Sequence, residues 1–86
     1  MALAVRALVD TSVLVSDLLW LGLLTMRQLG GSQGDVTLEL FTTSAILEEL
    51  RPALRRVYRE RTRLQIGCAF EARRQSLRHL DMASMD

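Results

Sequence analysis

Apolar and polar positions divide the first half of the chain into three pieces. Leu3 to Val9 is apolar at every position except Arg6, and it stops abruptly on Asp10. Such a near-continuous run predicts a buried parallel strand over residues 3–9, covered on both faces. After Thr11 and Ser12 a longer apolar run begins. Leu14, Leu18, Leu21 and Thr25 recur at steps of three and four, with Leu19, Gly22, Leu23 and Met26 beside them. This spacing predicts a helix from about Ser12 to Leu29, capped by Thr11 or Ser12 and buried or packed against a partner. Residues 30–35 (Gly-Gly-Ser-Gln-Gly-Asp) are the clearest break in the chain, with Gly30 as the expected helix C-cap. Val36, Leu38 and Leu40 then alternate with Thr37, Glu39 and Phe41, which predicts a second strand over 36–42. Strand, helix and strand in this order form a βαβ unit with a right-handed crossover.

The second half is helical in pattern and rich in arginine. Ser44 is the expected N-cap of a helix running through Leu50. Pro52 predicts a kink or a fresh helix start, because a proline inside a helix loses one hydrogen bond and clashes with the carbonyl four residues back, at a cost of about 3 kcal/mol. An Arg-rich helix from Ala53 to about Leu64 is expected next, weakly interrupted by Gly67. Residues 68–80 form a last helix on this reading, with Met82 to Asp86 fraying. No third parallel strand is evident. The fold class is therefore α/β: a short parallel sheet from one βαβ unit, followed by Arg-rich helices, in one domain over residues 1–86.

Composition changes this picture in three ways. A hydrophobic content of 49% supports a folded core, which would rest on Leu, Val, Ile and Ala because aromatic residues make up only 5%. All eleven basic residues are Arg, and the charge is unevenly placed. Residues 1–50 hold two Arg against six acids; residues 51–86 hold nine Arg against four acids. An acidic pocket beside a basic face suits a metal-dependent nuclease, while the plain reading is a solvated Arg-rich helix face. The single Cys68 forms no internal disulfide, and with one His it excludes a Cys/His zinc site within the chain. A reducing, cytoplasmic setting is the default. The run Val13 to Met26 contains Asp17 and is too short to span a bilayer, and no signal-peptide pattern precedes it.

Candidate chemistry centres on Asp10. A carboxylate at the carboxyl end of a central strand stands where open α/β sheets place ligands, and it is a hard oxygen donor suited to Mg²⁺ or Mn²⁺. The stretch Val9-Asp10-Thr11-Ser12-Val13-Leu14-Val15-Ser16, followed by Leu18-Leu19-Trp20, resembles the opening of a PIN domain. Within that family it most resembles the VapC-like toxins of toxin–antitoxin pairs. A second stretch, Leu40 to Leu50, is similar to the family's second strand and following helix, in which a Glu-Leu pair supplies another acid. The resemblance covers about residues 5–56; residues 57–86 have no match and read as a helical tail.

The resemblance implies a three-layer PIN-like fold and a Mg²⁺- or Mn²⁺-dependent endoribonuclease that cuts RNA and is held in check by a cognate antitoxin. It assigns catalytic and metal-ligand roles to Asp10 and Glu49, with Glu48 as the neighbouring alternative. Thr11 and Ser12 would orient Asp10 or a metal-bound water, or simply cap a helix. Arg51, Arg55, Arg56 and Arg59 are candidate contacts to RNA phosphates. The family's later acids have no counterpart beyond Asp81 and Asp86, so the chain reads as truncated, with weak metal binding and impaired cleavage. His79 reads as a surface residue and Trp20 as packing. Two other functions stand beside the nuclease. One is a non-catalytic interaction module whose apolar first helix meets a partner or a second copy; the other is the remnant of a longer gene.

Overall fold

A computed structural model describes residues 3–80. Its elements are β1 (Leu3–Leu8), α1 (Thr11–Val15), α2 (Asp17–Gln33), β2 (Val36–Thr42), α3 (Ser44–Val57), α4 (Arg63–Ser76) and β3 (Arg78–His79). The strands make one parallel sheet in the order β1-β2-β3. Register runs from Leu3 opposite Val36 to Leu8 opposite Phe41, and the ladder continues through the Val9 amide, which donates to the Phe41 carbonyl at 2.9 Å. The α/β class and the parallel βαβ unit are therefore as the hydrophobic pattern predicts.

Residues on one face of the sheet feed the core. Val9 and Leu40 are buried, Ala7 and Leu38 pack against the same cluster, and Leu14, Trp20, Leu50, Leu54, Ile66 and Leu77 complete it from the helices and the strand lead-in. The opposite face carries Arg6, whose guanidinium pairs with Glu39 at 3.5 Å; Arg78 approaches the same carboxylate at 3.9 Å. Burial of β1 on both faces is not what forms. β1 is an edge strand, and Leu3 (60%) and Leu8 (59%) remain exposed.

Four local expectations are corrected. The single helix over 12–29 is two helices, because Ser16 turns extended and its side-chain oxygen accepts the Leu19 amide, starting α2 afresh. Gly30 does not end α2; the helix runs to Gln33 and stops on Gly34, whose φ of 73° is the left-handed C-cap. Gly30 matters for space instead, since a Cβ there would sit 2.7 Å from the Val36 carbonyl oxygen where α2 meets β2. Pro52 neither kinks α3 into two helices nor starts a new one. The helix continues to Val57, held by the buried side chains Leu50, Ala53 and Leu54 on one face, while Pro52 and Glu48 face solvent.

The fourth correction concerns the chain after Val57. No helix spans 53–64: residues 58–62 turn, and α4 begins at a capping box in which Thr62 and Gln65 each accept the other's backbone amide. Gly67 lies inside α4 without interrupting it. The last segment is not helical through 80 either. Leu77 is buried, Arg78 and His79 pair with Phe41 and Thr42, and the Leu80 amide donates to the Thr42 carbonyl at 2.7 Å. A third parallel strand thus exists where none was expected, two residues long. Asp81, Asp86 and the expected fraying of 82–86 lie outside the described residues.

Candidate functional site

β1 delivers Asp10 to the carboxyl edge of the sheet. Its backbone stays extended (φ −76°, ψ 159°), and its carbonyl accepts the Val13 and Leu14 amides at 3.1 Å each. Asp10 therefore starts α1 through its backbone. The side chain makes no cap and stays exposed; among the described residues it accepts only the Ser12 hydroxyl, at 3.2 Å. The second acid arrives from α3, which begins when the Thr43 hydroxyl accepts the Ile46 amide. Glu49 lies in its second turn and accepts the Thr11 hydroxyl at 3.2 Å. Thr11 directly follows Asp10, so one short helix places both carboxylates in the same neighbourhood. Glu48 points elsewhere, lining a separate depression with Leu47, Arg51, Pro52, Arg55 and Phe70.

These carboxylates are exposed, each with one neutral hydroxyl donor. Their remaining lone pairs are open to solvent, as oxygen ligands of a hard cation must be. Among the described residues, no group of three or more His, Cys, Asp or Glu side chains converges on one point. Asp10 and Glu49 are hard oxygen donors, the kind that Mg²⁺ or Mn²⁺ takes. Beside the strand end stands one polar atom without a partner among the described residues. Thr42, at the carboxyl end of β2, is fully buried and its hydroxyl makes no hydrogen bond. An unpaired buried hydroxyl costs on the order of 1–3 kcal/mol.

A second charged constellation, not anticipated in the sequence, closes the other side of α1. The Arg73 guanidinium is buried and donates to the carbonyls of Leu14 and Ala69 and to Asp17. Arg61 donates to the other oxygen of Asp17 at 2.6 Å. The Asp17 amide donates to the Tyr58 hydroxyl at 2.9 Å, and Arg61 lies over the Tyr58 ring, 3.9 Å from its centroid. Hydrogen bonding to Arg61 is the largest influence on the Asp17 carboxyl; burial opposes it, and the Arg73 hydrogen bond with the charges of both arginines leaves the carboxyl below its ordinary value. Likewise Arg74 lowers Glu71 on the surface of α4. The Asp17 network fastens the α1–α2 break to the α3–α4 turn and to α4. The sequence does carry one sign of that break, a Ser-Asp pair at a helix start. Nothing local marks Arg73 as its partner.

The candidate phosphate contacts separate in space. Arg55 and Arg59 line a surface cavity of about 250 Å³ with Tyr58, Arg61, Arg63 and Ile66. Arg51 instead stacks over Phe70 at 4.5 Å, and Arg56 is exposed on α3 outside that cavity. Arg63 was not singled out in the sequence. His79 is exposed and Trp20 buried in the core, the places expected for both. Compared with known proteins, the chain matches no family model, no curated protein and no solved structure. No helix among the described residues is long and apolar enough to cross a membrane.

Proposed function

We propose that the chain is a PIN-like, VapC-related protein in which Asp10 and Glu49 hold a Mg²⁺ or Mn²⁺ ion and act on RNA. The observation that supports this reading most is the Thr11–Glu49 hydrogen bond, which ties the second acid to the strand end that bears the first. Ser12 and Thr11 orient one carboxylate each. A bound ion of this kind lowers the pKa of a coordinated water and offsets phosphate charge. The chain's own part is to hold two carboxylates at a strand edge and to present arginines on α3 and α4 to the RNA backbone. Two carboxylates leave Mg²⁺ with most of its hydration shell, so binding is weak and the ion loosely placed. A misplacement of about 1 Å can cost on the order of 10²-fold in rate, so cleavage is slow. On this reading the protein works in the cytoplasm under a cognate antitoxin.

The test is Mg²⁺ titration by calorimetry together with an RNA cleavage assay in millimolar Mg²⁺ or Mn²⁺, each beside Asp10→Asn. Weak binding and slow metal-dependent cleavage, both removed by Asp10→Asn, are expected. Binding that survives both Asp10→Asn and Glu49→Gln overturns the site.

A non-catalytic interaction role is favoured by a different observation. Leu18 (80%), Leu21 (62%), Met26 (63%) and Leu29 (55%) are exposed along α2. An apolar helix face of this kind is typically covered by another surface, here an antitoxin or a second copy. Size-exclusion chromatography of the pure protein distinguishes the two: a dimer is expected for self-association, and a monomer leaves the antitoxin.

A further inference from the structure

We infer that the cavity at the α3–α4 turn is a discrete site for phosphates of a single-stranded RNA backbone, built by Arg55, Arg59 and Arg63 against a fixed wall. The inference rests on RNA as the ligand in the proposed function, but not on the metal site. Arg55, Arg59 and Arg63 make no hydrogen bond or ion pair among the described residues, whereas Arg6, Arg27, Arg61, Arg73, Arg74 and Arg78 all do. Arg51 and Arg56 are unengaged in the same sense, but they lie outside the cavity; three of the five unengaged guanidinium groups line this one concavity. No carboxylate lines the cavity, although Glu48 shares an adjoining depression with Arg55. Asp17 is occupied by Arg61 and Arg73, and Glu60, though adjacent in sequence, is not among the lining residues.

The wall is preorganised. Arg61 is locked by Asp17 on one edge and by the Tyr58 ring on its flat face, and it donates to Asp17 through only one nitrogen. A guanidinium carries five N–H donors, so most of this fork stays available at little further entropic cost. Arg63 is the first residue of α4, whose positive dipole end adds to the attraction. Ile66 and Tyr58 line the cavity between the arginines, with Ile66 buried and one face of the Tyr58 ring covered by Arg61, so the contact with RNA is carried by the guanidinium groups. Arg55 lies six residues along α3 from Glu49, roughly 9 Å at 1.5 Å per residue. Six residues at about 3.6 per turn also rotate the side chain by about 240°, so the cavity and Glu49 lie on different faces of α3 and the two sites are separate.

The experiment measures binding of a fluorescent single-stranded oligouridylate to the full chain in EDTA, so that cleavage plays no part, across about 50–200 mM salt. Each phosphate contact to a single strand contributes about −0.7 to the slope of log K against log salt. Arg59→Ala and Arg63→Ala are each expected to make the slope shallower by about 0.7, so that the affinity lost between those salt concentrations shrinks roughly threefold per arginine. Arg56→Ala removes the same charge from the same helix outside the cavity and is expected to leave the slope nearly unchanged. Arg59→Lys should keep the slope and weaken binding, since charge remains while the fork is lost. Equal effects of Arg56→Ala and Arg59→Ala overturn the inference in favour of a diffuse basic face. Absence of RNA binding by the unmodified chain overturns it outright. Inorganic phosphate binding as tightly as the oligonucleotide overturns the RNA assignment in favour of a small anion. RNA binding with the expected slopes but no metal-dependent cleavage supports the cavity and sinks only the nuclease reading.

Discussion

Asp10 and Asp17 lie seven residues apart, and each introduces a helix, yet their surroundings are opposite. Asp17 accepts from two guanidinium groups, and its own amide reaches the Tyr58 hydroxyl. Asp10 has one hydroxyl donor and open solvent. The difference lies in what α4 brings. The Arg73 side chain is only 5% exposed, so its charge must be met within the protein, and Asp17 with two carbonyls meets it. Among the described residues, no buried cation pairs with Asp10 or Glu49. A carboxylate consumed by fixed partners is part of the scaffold, whereas one left with spare lone pairs is available to a ligand. The same division separates Arg61 and Arg73 from Arg55, Arg59 and Arg63.

The contrast breaks most visibly at Arg73. Arg73→Ala removes the buried donor and leaves the Leu14 carbonyl and Asp17 without it. A loss of about 3 kcal/mol is expected, at the low end for a broken buried pair because Asp17 is half-exposed. Urea unfolding measures this, and a loss below about 1 kcal/mol would mean that the network is ornamental. The converse substitution is Asp10→Asn. It should lower Mg²⁺ affinity by about tenfold or more, by analogy with the loss of partners that merely orient ligands. Its effect on unfolding should stay within about 0.5 kcal/mol, as for exposed positions generally. A large destabilisation would place Asp10 in the scaffold beside Asp17.

Acid should sharpen the comparison further. The folded carboxyl of Asp17 titrates below its ordinary value. Its contribution is thus fully present above the unfolded value and is lost as pH falls through the lower folded one. With Asp17 45% exposed, solvent screening keeps this contribution under about 1 kcal/mol. The variant Asp17→Asn should be less stable at neutral pH and lose less stability on acidification than the parent; identical acid profiles would contradict it. The smallest effect is expected from Thr11→Val, which deletes the exposed bond to Glu49. Stability should fall by about 0.5 kcal/mol or less, and Mg²⁺ affinity by less than in Asp10→Asn. If calorimetry shows the reverse order, Thr11 matters more to the site than either acid's charge.

The period of the apolar positions by itself determined the parallel βαβ unit, the limits of β2 and the emergence of Asp10 at a strand end. Those are local properties: a strand or helix repeats its buried face at its own period, and a carboxylate that ends an apolar run leaves the sheet there. The capping box Thr62–Gln65 and the Ser16-Asp17 start are also patterns within four residues, but the continuous helices expected over 53–64 and 12–29 ran across both and missed them. Pro52 shows the limit of local rules. Its intrinsic cost argues for a break, but burial of Leu50, Ala53 and Leu54 on the opposite side carries α3 through. Only the tertiary structure decided that Glu49 rather than Glu48 meets Thr11, that Arg73 reaches Leu14 across 59 residues of chain, and that Arg63 joins Arg55 and Arg59 in one cavity. It also made a strand of Arg78 and His79, a pair with no period to read, because β2 offers its open edge just where Leu77 is anchored in the core. Contacts between residues far apart in sequence depend on how the helices pack, and that packing leaves no periodic trace in either segment alone.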